Sequence, residues 1–126
     1  MNIPDDLKYV ASHEWLNYLE DDKVRFGISA FAAEAMGDIV FIDLPQVGDP
    51  VIAGQPLCDM ESVKAVEEIY SPVTGEITAV NQALLDQPEL INDDPYDTWI
   101  VEVSKVTDTE ELLSADEYRQ VCEKEA

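Results

Sequence analysis

DMESVKAVEEIYSPVTGEI, residues 59–77, decides how the chain is read. Strand-like runs flank Lys64, with small or branched residues beside it, as in a tight hairpin carrying the lysine near its tip. SPVTGE (71–76) then turns the chain again and starts the next strand. A hairpin tip holds a side chain in solvent while the ladder behind it stays rigid. Lys64 is one of only 7 Lys+Arg in a chain with 28 Asp+Glu, and it sits among Asp59, Glu61, Glu67 and Glu68. Those acids favour the protonated amine, so an enzyme acylating it must first remove a proton. From the residues alone two readings stand side by side. Lys64 is either a solvated strand lysine, the default for this residue type, or a mount for an amide-linked arm.

The same short apolar runs and turns extend outward from this stretch. QVGDP (46–50) and IAGQP (52–56) have turn chemistry, and all five glycines fall where an element is expected to end. KVRFGI (23–28) alternates, with Val24, Phe26 and Ile28 on one face and Lys23 and Arg25 on the other. DIVFIDL (38–44) is apolar on both faces, as expected of an inner strand. TWIVEV (98–103) sets Trp99, Val101 and Val103 on one face. Many short strands with frequent turns predict a mainly β sandwich or barrel.

Helical signals are fewer. SAFAAEAMG (29–37) offers Ser29 as N-cap and Gly37 just past the end, and NQALLDQP (81–88) reads as a short helix stopped by Pro88. SADEYRQVCEKEA (114–126) opens with Ser114 and Glu117 in capping-box spacing, and Ala115, Tyr118, Val121 and Cys122 fall on one side. The expectation is one domain over residues 1–126, with a C-terminal helix at about 114–124 packed on the β core. DPVIAG (49–54) and SPVTG (71–75) echo each other on either side of Lys64, as two similar half-sheets would.

A net charge of −21 repels nucleic acid phosphates and anionic membranes. It suits partners with basic docking patches, or simply keeps the protein soluble. MNIPDDLKYV lacks the basic and apolar runs of a signal peptide, and no segment approaches a membrane span. The expected location is cytoplasmic, although a processed organellar protein would look the same. Cys58 and Cys122 form no C-x-x-C and read as ordinary thiols. There is no G-x-G-x-x-G and no phosphate loop. His13 has no second histidine to complete a metal pair and reads as structural or solvent-facing, and NDDPYD (92–97) fails the calcium-loop spacing in every register.

ESVKA (61–65) closely resembles the lipoylation motif of the glycine cleavage system H-protein family. LKYVASHEW (7–15) is similar to the family's opening strand motif, and GISAFAAEAMGDIVFIDLPQVGDPV (27–51) to its helix, glycine and strand signature. SPVTGEITAVNQALLDQPELINDDPY (71–96), the following Trp99 and LLSADEYRQVCEKE (112–125) resemble its second half and C-terminal helix. The resemblance therefore covers almost the whole chain, in one order.

This resemblance implies a barrel-sandwich hybrid, the hammerhead-like lipoyl-domain fold, with short flanking helices. It implies lipoic acid amide-linked to Lys64 by a lipoate-attaching enzyme, and a monomeric carrier rather than a catalyst. In such a family a pyridoxal-phosphate glycine decarboxylase loads an aminomethyl group onto the lipoyl arm. A tetrahydrofolate-dependent aminomethyltransferase unloads it, and dihydrolipoyl dehydrogenase restores the disulfide. The loaded arm is parked in a surface cleft, which the resemblance assigns here to Ser12, Glu14 and Glu68, a carboxylate pairing with the protonated amine.

DPYDTW (94–99) departs from the family in lacking a glycine before the tryptophan, and SAFAAEAMG replaces a more polar helix start. The alternatives are a lipoyl or biotinyl carrier of another complex, an H-like lipoyl relay, and a cofactor-free acidic interaction module. Biotinyl domains centre on M-K-M and 2-oxo-acid dehydrogenase lipoyl domains on D-K-A, and SVKA with SHEW fits neither well.

Overall fold

Alternating apolar residues build the sheets. The computed structural model describes residues 2–126. In chain order its strands are β1 (Lys8–Tyr9), β2 (Glu14–Tyr18), β3 (Val24–Ile28), β4 (Ile39–Ile42), β5 (Pro50–Val51), β6 (Pro56–Ser62), β7 (Val66–Tyr70), β8 (Val73–Val80) and β9 (Val101–Thr109). One sheet runs β1-β2-β3-β9-β8-β5 and the other β4-β6-β7; all pairings are antiparallel and neither sheet closes. Val24, Phe26, Ile28, Ile77, Val101 and Val103 of the larger sheet are buried in one cluster with Ile39, Ile42, Met60 and Ile69 of the smaller. The mainly β, two-sheet architecture is the one expected, and β3 buries the face its alternation marked.

Four details differ from the sequence reading. DIVFIDL is an edge strand, not an inner one, and leaves Val40 and Phe41 about half exposed, at 53% and 48%. A register irregularity between Ile39 and Phe41 breaks the alternation, so Ile39 and Ile42 both reach the core. Gly27 and Gly75 lie inside β3 and β8 rather than at element ends. At each, an added Cβ would run into the neighbouring chain, Thr98 and Trp15 for Gly27 and Ser104 and Val103 for Gly75. The DPVIAG and SPVTG echo does not mark two half-sheets, because β5 and the start of β8 pair with each other in one sheet, Val51 opposite Gly75. Trp99 precedes β9 and packs against a second cluster, apart from Val101 and Val103.

The helices follow their caps. α1 (Ala30–Met36) starts at Ser29, whose hydroxyl accepts from the Ala32 amide, and stops at Gly37 with φ 80°. α2 (Ala83–Asp86) ends before Pro88, and a further turn, α3 (Leu90–Asp93), follows. The glycine-free DPYDTW turn closes on the Asp94 carbonyl, which accepts from the amides of Asp97 and Thr98. α4 (Ala115–Glu125) carries the complete Ser114–Glu117 capping box. Its Tyr118 stacks on Tyr9 at 4.7 Å within a cluster that includes Leu7, Trp15 and Cys122. Cys58 packs against the main core instead, so the two thiols occupy different clusters and both are free. Among the described residues no helix is long and apolar enough to cross a membrane.

Removing one bond of the capping box tests how firmly α4 is fixed. Ser114→Ala is expected to cost about 1 kcal/mol and lower Tm by a few degrees. Amide exchange should accelerate in α4 and stay unchanged in β8 and β9; uniform acceleration would show that the cap does not act locally.

Candidate functional site

The hairpin that carries Lys64 is built by the β6–β7 ladder, with Glu61 opposite Val66 and Met60 opposite Glu67. Three residues, 63–65, make the tip. The Ser62 amide donates to the Ala65 carbonyl at 2.8 Å, and the Ser62 hydroxyl accepts from the amides of Lys64 and Ala65 at 3.2 and 3.1 Å. A serine in this position satisfies the donors that a short turn leaves without ladder partners. The Val63 amide donates to the Asp38 carbonyl at 3.0 Å and ties the tip to the entry of β4. Lys64 is exposed, and its stem lies over Gly37, where an added Cβ would meet Lys64 Cε at 2.9 Å.

Beside the tip is a cleft of about 250 Å³ into which five elements project. The hairpin supplies Lys64, Ala65, Glu67, Glu68 and Ile69. β3 contributes Ile28, and α1 adds an apolar wall of Phe31, Ala32, Ala35 and Met36. The turn into β2 brings Ser12, His13 and, as the first residue of that strand, Glu14, and α4 brings Glu125. Lys64, Ser12, Glu14 and Glu68, all singled out from the sequence, therefore line one cavity. The α1 wall, Glu67, His13 and Glu125 were not anticipated as parts of it. The runs of small residues in AFAAEAM were a signal for a helix whose flank leaves space, but a helix pattern does not say what faces it.

Glu14 is the unusual group. It is the first residue of β2 and only 2% exposed. The Ser12 hydroxyl donates to its Oε1 at 2.5 Å. Burial pushes its carboxyl up to about 8; the Ser12 hydrogen bond opposes this and the charge of Glu110 adds to it. The turn that places it is held by the His13 amide on the Val10 carbonyl and the Ser29 amide on the His13 carbonyl, at 3.0 and 2.9 Å. His13 itself has φ 80°. Its ring stacks on Phe31 at 4.9 Å, while Nδ1 is 2.7 Å from the Tyr118 hydroxyl and Nε2 is 2.9 Å from a Glu125 carboxylate oxygen. The histidine is thus structural, joining α4 to the cleft wall. Among the described residues no cluster of His, Cys, Asp and Glu has the arrangement of a metal site.

Chemically, the site offers an accessible amine on a hydrogen-bonded hairpin tip, a trough with one apolar wall, and a buried carboxyl within that trough. It suits a flexible hydrocarbon arm ending in a cationic group.

Comparison with known proteins agrees with this geometry. The family model described as "Glycine cleavage H-protein" matches residues 7–125. A glycine cleavage system H protein of Halalkalibacterium halodurans is 49% identical over 98% of both chains. One from Psychrobacter sp. is 50% identical over 94% of this chain and 96% of its own. A crystal structure of a glycine cleavage system H protein from Mycobacterium marinum superposes with a TM-score of 0.87 at 42% identity, covering 94% of this chain and 97% of that one.

Glu14 makes stability depend on pH in a definite direction. Between the ordinary carboxylate value of 4.5 and about 8, the folded protein holds a proton that the unfolded chain has released. Its contribution to stability therefore falls as pH rises through that window and levels off above it. Glu14→Gln removes the penalty. At pH 8 the variant is expected to be more stable than the parent by on the order of a few kcal/mol, with the difference shrinking toward pH 4.5. Denaturant titrations at several pH values check this, and a difference independent of pH would remove Glu14 as the titrating group.

Proposed function

The chain belongs to the glycine cleavage H-protein family and is a lipoyl-carrier protein of the glycine cleavage system, and we propose that Lys64 is its attachment point and the adjoining cleft the resting place of the loaded arm. The observation that carries this reading is the meeting of Lys64 and the buried Glu14 in one cavity, supplied by segments far apart in sequence. The residues present suit a lipoyl group: the amine can form an amide, the α1 wall is apolar, and the carboxyl can receive a cationic end. When bound, lipoate supplies a disulfide that opens reductively to take up and give back a one-carbon amine fragment.

The contribution of this chain is binding, orientation and exclusion of water. At neutral pH Glu14 by itself holds a proton, because burial disfavours its charged form. A cationic amine entering beside it reverses that preference. The carboxyl gives up its proton to solvent and becomes the counter-ion, joined by a charge-assisted hydrogen bond. Ser12 keeps its hydroxyl on Oε1 and fixes the carboxylate's orientation. Ile28, Phe31 and Met36 keep water from the amine, which slows hydrolysis of the cargo. Glu67, Glu68 and Glu125 make the cleft attractive to a cation, and acylation of Lys64 removes the one lysine among them.

In this proposal the chain is a single-domain, monomeric carrier without a catalytic residue of its own, acting in the cytoplasm. Its partners are a lipoate-attaching enzyme, a pyridoxal-phosphate glycine decarboxylase, a tetrahydrofolate-dependent aminomethyltransferase and dihydrolipoyl dehydrogenase. The net charge of −21 favours encounter with basic docking surfaces on them.

Intact-mass measurement on protein from lipoate-replete cells tests the attachment point. One lipoyl increment is expected in the parent and none in Lys64→Arg, with Tm unchanged because the side chain is exposed; an increment retained in the variant would overturn the assignment. The cleft is tested separately by loading the arm and following loss of its cargo to water. Glu14→Gln is expected to shorten the loaded lifetime about tenfold, the effect of roughly 1.4 kcal/mol. An unchanged lifetime would remove Glu14 from the role.

A further inference from the structure

The stem of Lys64 lies over Gly37, which opens the stretch Gly37 to Ile39 leading from α1 into β4. That stretch is held by one side chain from elsewhere. Asn92, in α3, donates from Nδ2 to the Gly37 carbonyl at 2.9 Å and accepts at Oδ1 from the Ile39 amide at 2.9 Å. The amide therefore brackets Asp38. The Asp38 carbonyl in turn accepts from Val63, the first residue of the hairpin tip, at 3.0 Å. Gly37 itself has φ 80° and ψ −161°, a region that only glycine adopts without strain.

We infer that Asn92 forms a seat for the Lys64 tip. Asn92 is a positioning residue that fixes the tip at Val63 through the Asp38 peptide. The inference rests on the reading of Lys64 as the modified residue and adds what presents it. An attaching enzyme must find the amine at a reproducible height and direction, and the two-residue ladder end at Glu61 and Val66 does not by itself fix a three-residue tip. The side-chain amide is suited to the task because it is at once donor and acceptor, matching a carbonyl and an amide two residues apart. A carboxylate of the same shape would keep the bond from Ile39 and set an anion against the Gly37 carbonyl.

The test compares Asn92→Asp with Thr98→Val. The second variant removes the Thr98 hydroxyl that donates to the Leu90 carbonyl at 3.0 Å, so it loosens α3 without touching the seat. Two readouts are followed in the full chain: the rate of lipoyl attachment by a lipoate-attaching enzyme, from intact mass, and exchange of the Val63 amide. Asn92→Asp is expected to slow attachment and to speed Val63 exchange, each about tenfold. Thr98→Val is expected to lower Tm with both readouts at the parent's values. Attachment and exchange at parental values in Asn92→Asp, or equal slowing in Thr98→Val, would overturn the seat. If the parent is not modified at Lys64, the proposed function fails, while Val63 exchange still decides whether Asn92 holds the tip.

Discussion

The hydrogen bonding of the β6–β7 tip is the constraint on which the rest depends. A lysine can be presented at a fixed place only if the peptide groups beneath it are paired. Here Ser62 satisfies two amides of the turn with one hydroxyl, and Asp38 takes the third. A turn closed by its own side chain and by the residue before a neighbouring strand has few ways to move. The amine can then swing on its own flexible stem while the backbone stays still.

The second organising fact is the contrast between two buried acids. Glu102 is 8% exposed and faces the Arg25 guanidinium at 3.1 Å and the Thr78 hydroxyl at 3.1 Å. Arg25 in turn lies over the Trp99 ring, 4.5 Å from its centroid. That carboxylate has its counter-charge inside the fold. Among the described residues Glu14 has only the Ser12 hydroxyl as a side-chain partner, and burial raises its proton affinity. An acid buried without a cation is destabilising unless something else compensates. Protonation relieves that cost in Glu14, and a cationic group in the cleft beside it would do so instead.

α4 adds a structural link to this site. Tyr118 is stacked on Tyr9, and its hydroxyl lies within hydrogen-bonding distance of both the α1 cap, Ser29, and His13. One phenol thereby joins the C-terminal helix, the helix that walls the cleft and the turn that carries Glu14. The walls of the cleft are thereby linked to one another through the Tyr118 hydroxyl.

Much of this was legible in the chain because it is local. Ser29 and Gly37 bound α1, Ser114 and Glu117 cap α4, and Val24, Phe26 and Ile28 mark a buried face, each by spacing within a few residues. ESVKA placed an amine at a hairpin tip for the same reason. What the sequence could not state was environment. DIVFIDL was apolar enough for an inner strand, yet its place at the edge is set by which strands pair, and pairing is not local. Gly27 and Gly75 looked like punctuation because the groups that press on them come from segments distant in the sequence. By itself, then, the sequence determined the elements, their caps and the amine at the tip. Only the tertiary structure decided that Glu14 is dry, that α1 turns alanines toward Lys64 and that Asn92 reaches across to hold Gly37 and Ile39. Burial and hydrogen-bond partnership are properties of groups brought together from distant segments, and no window of the chain contains them.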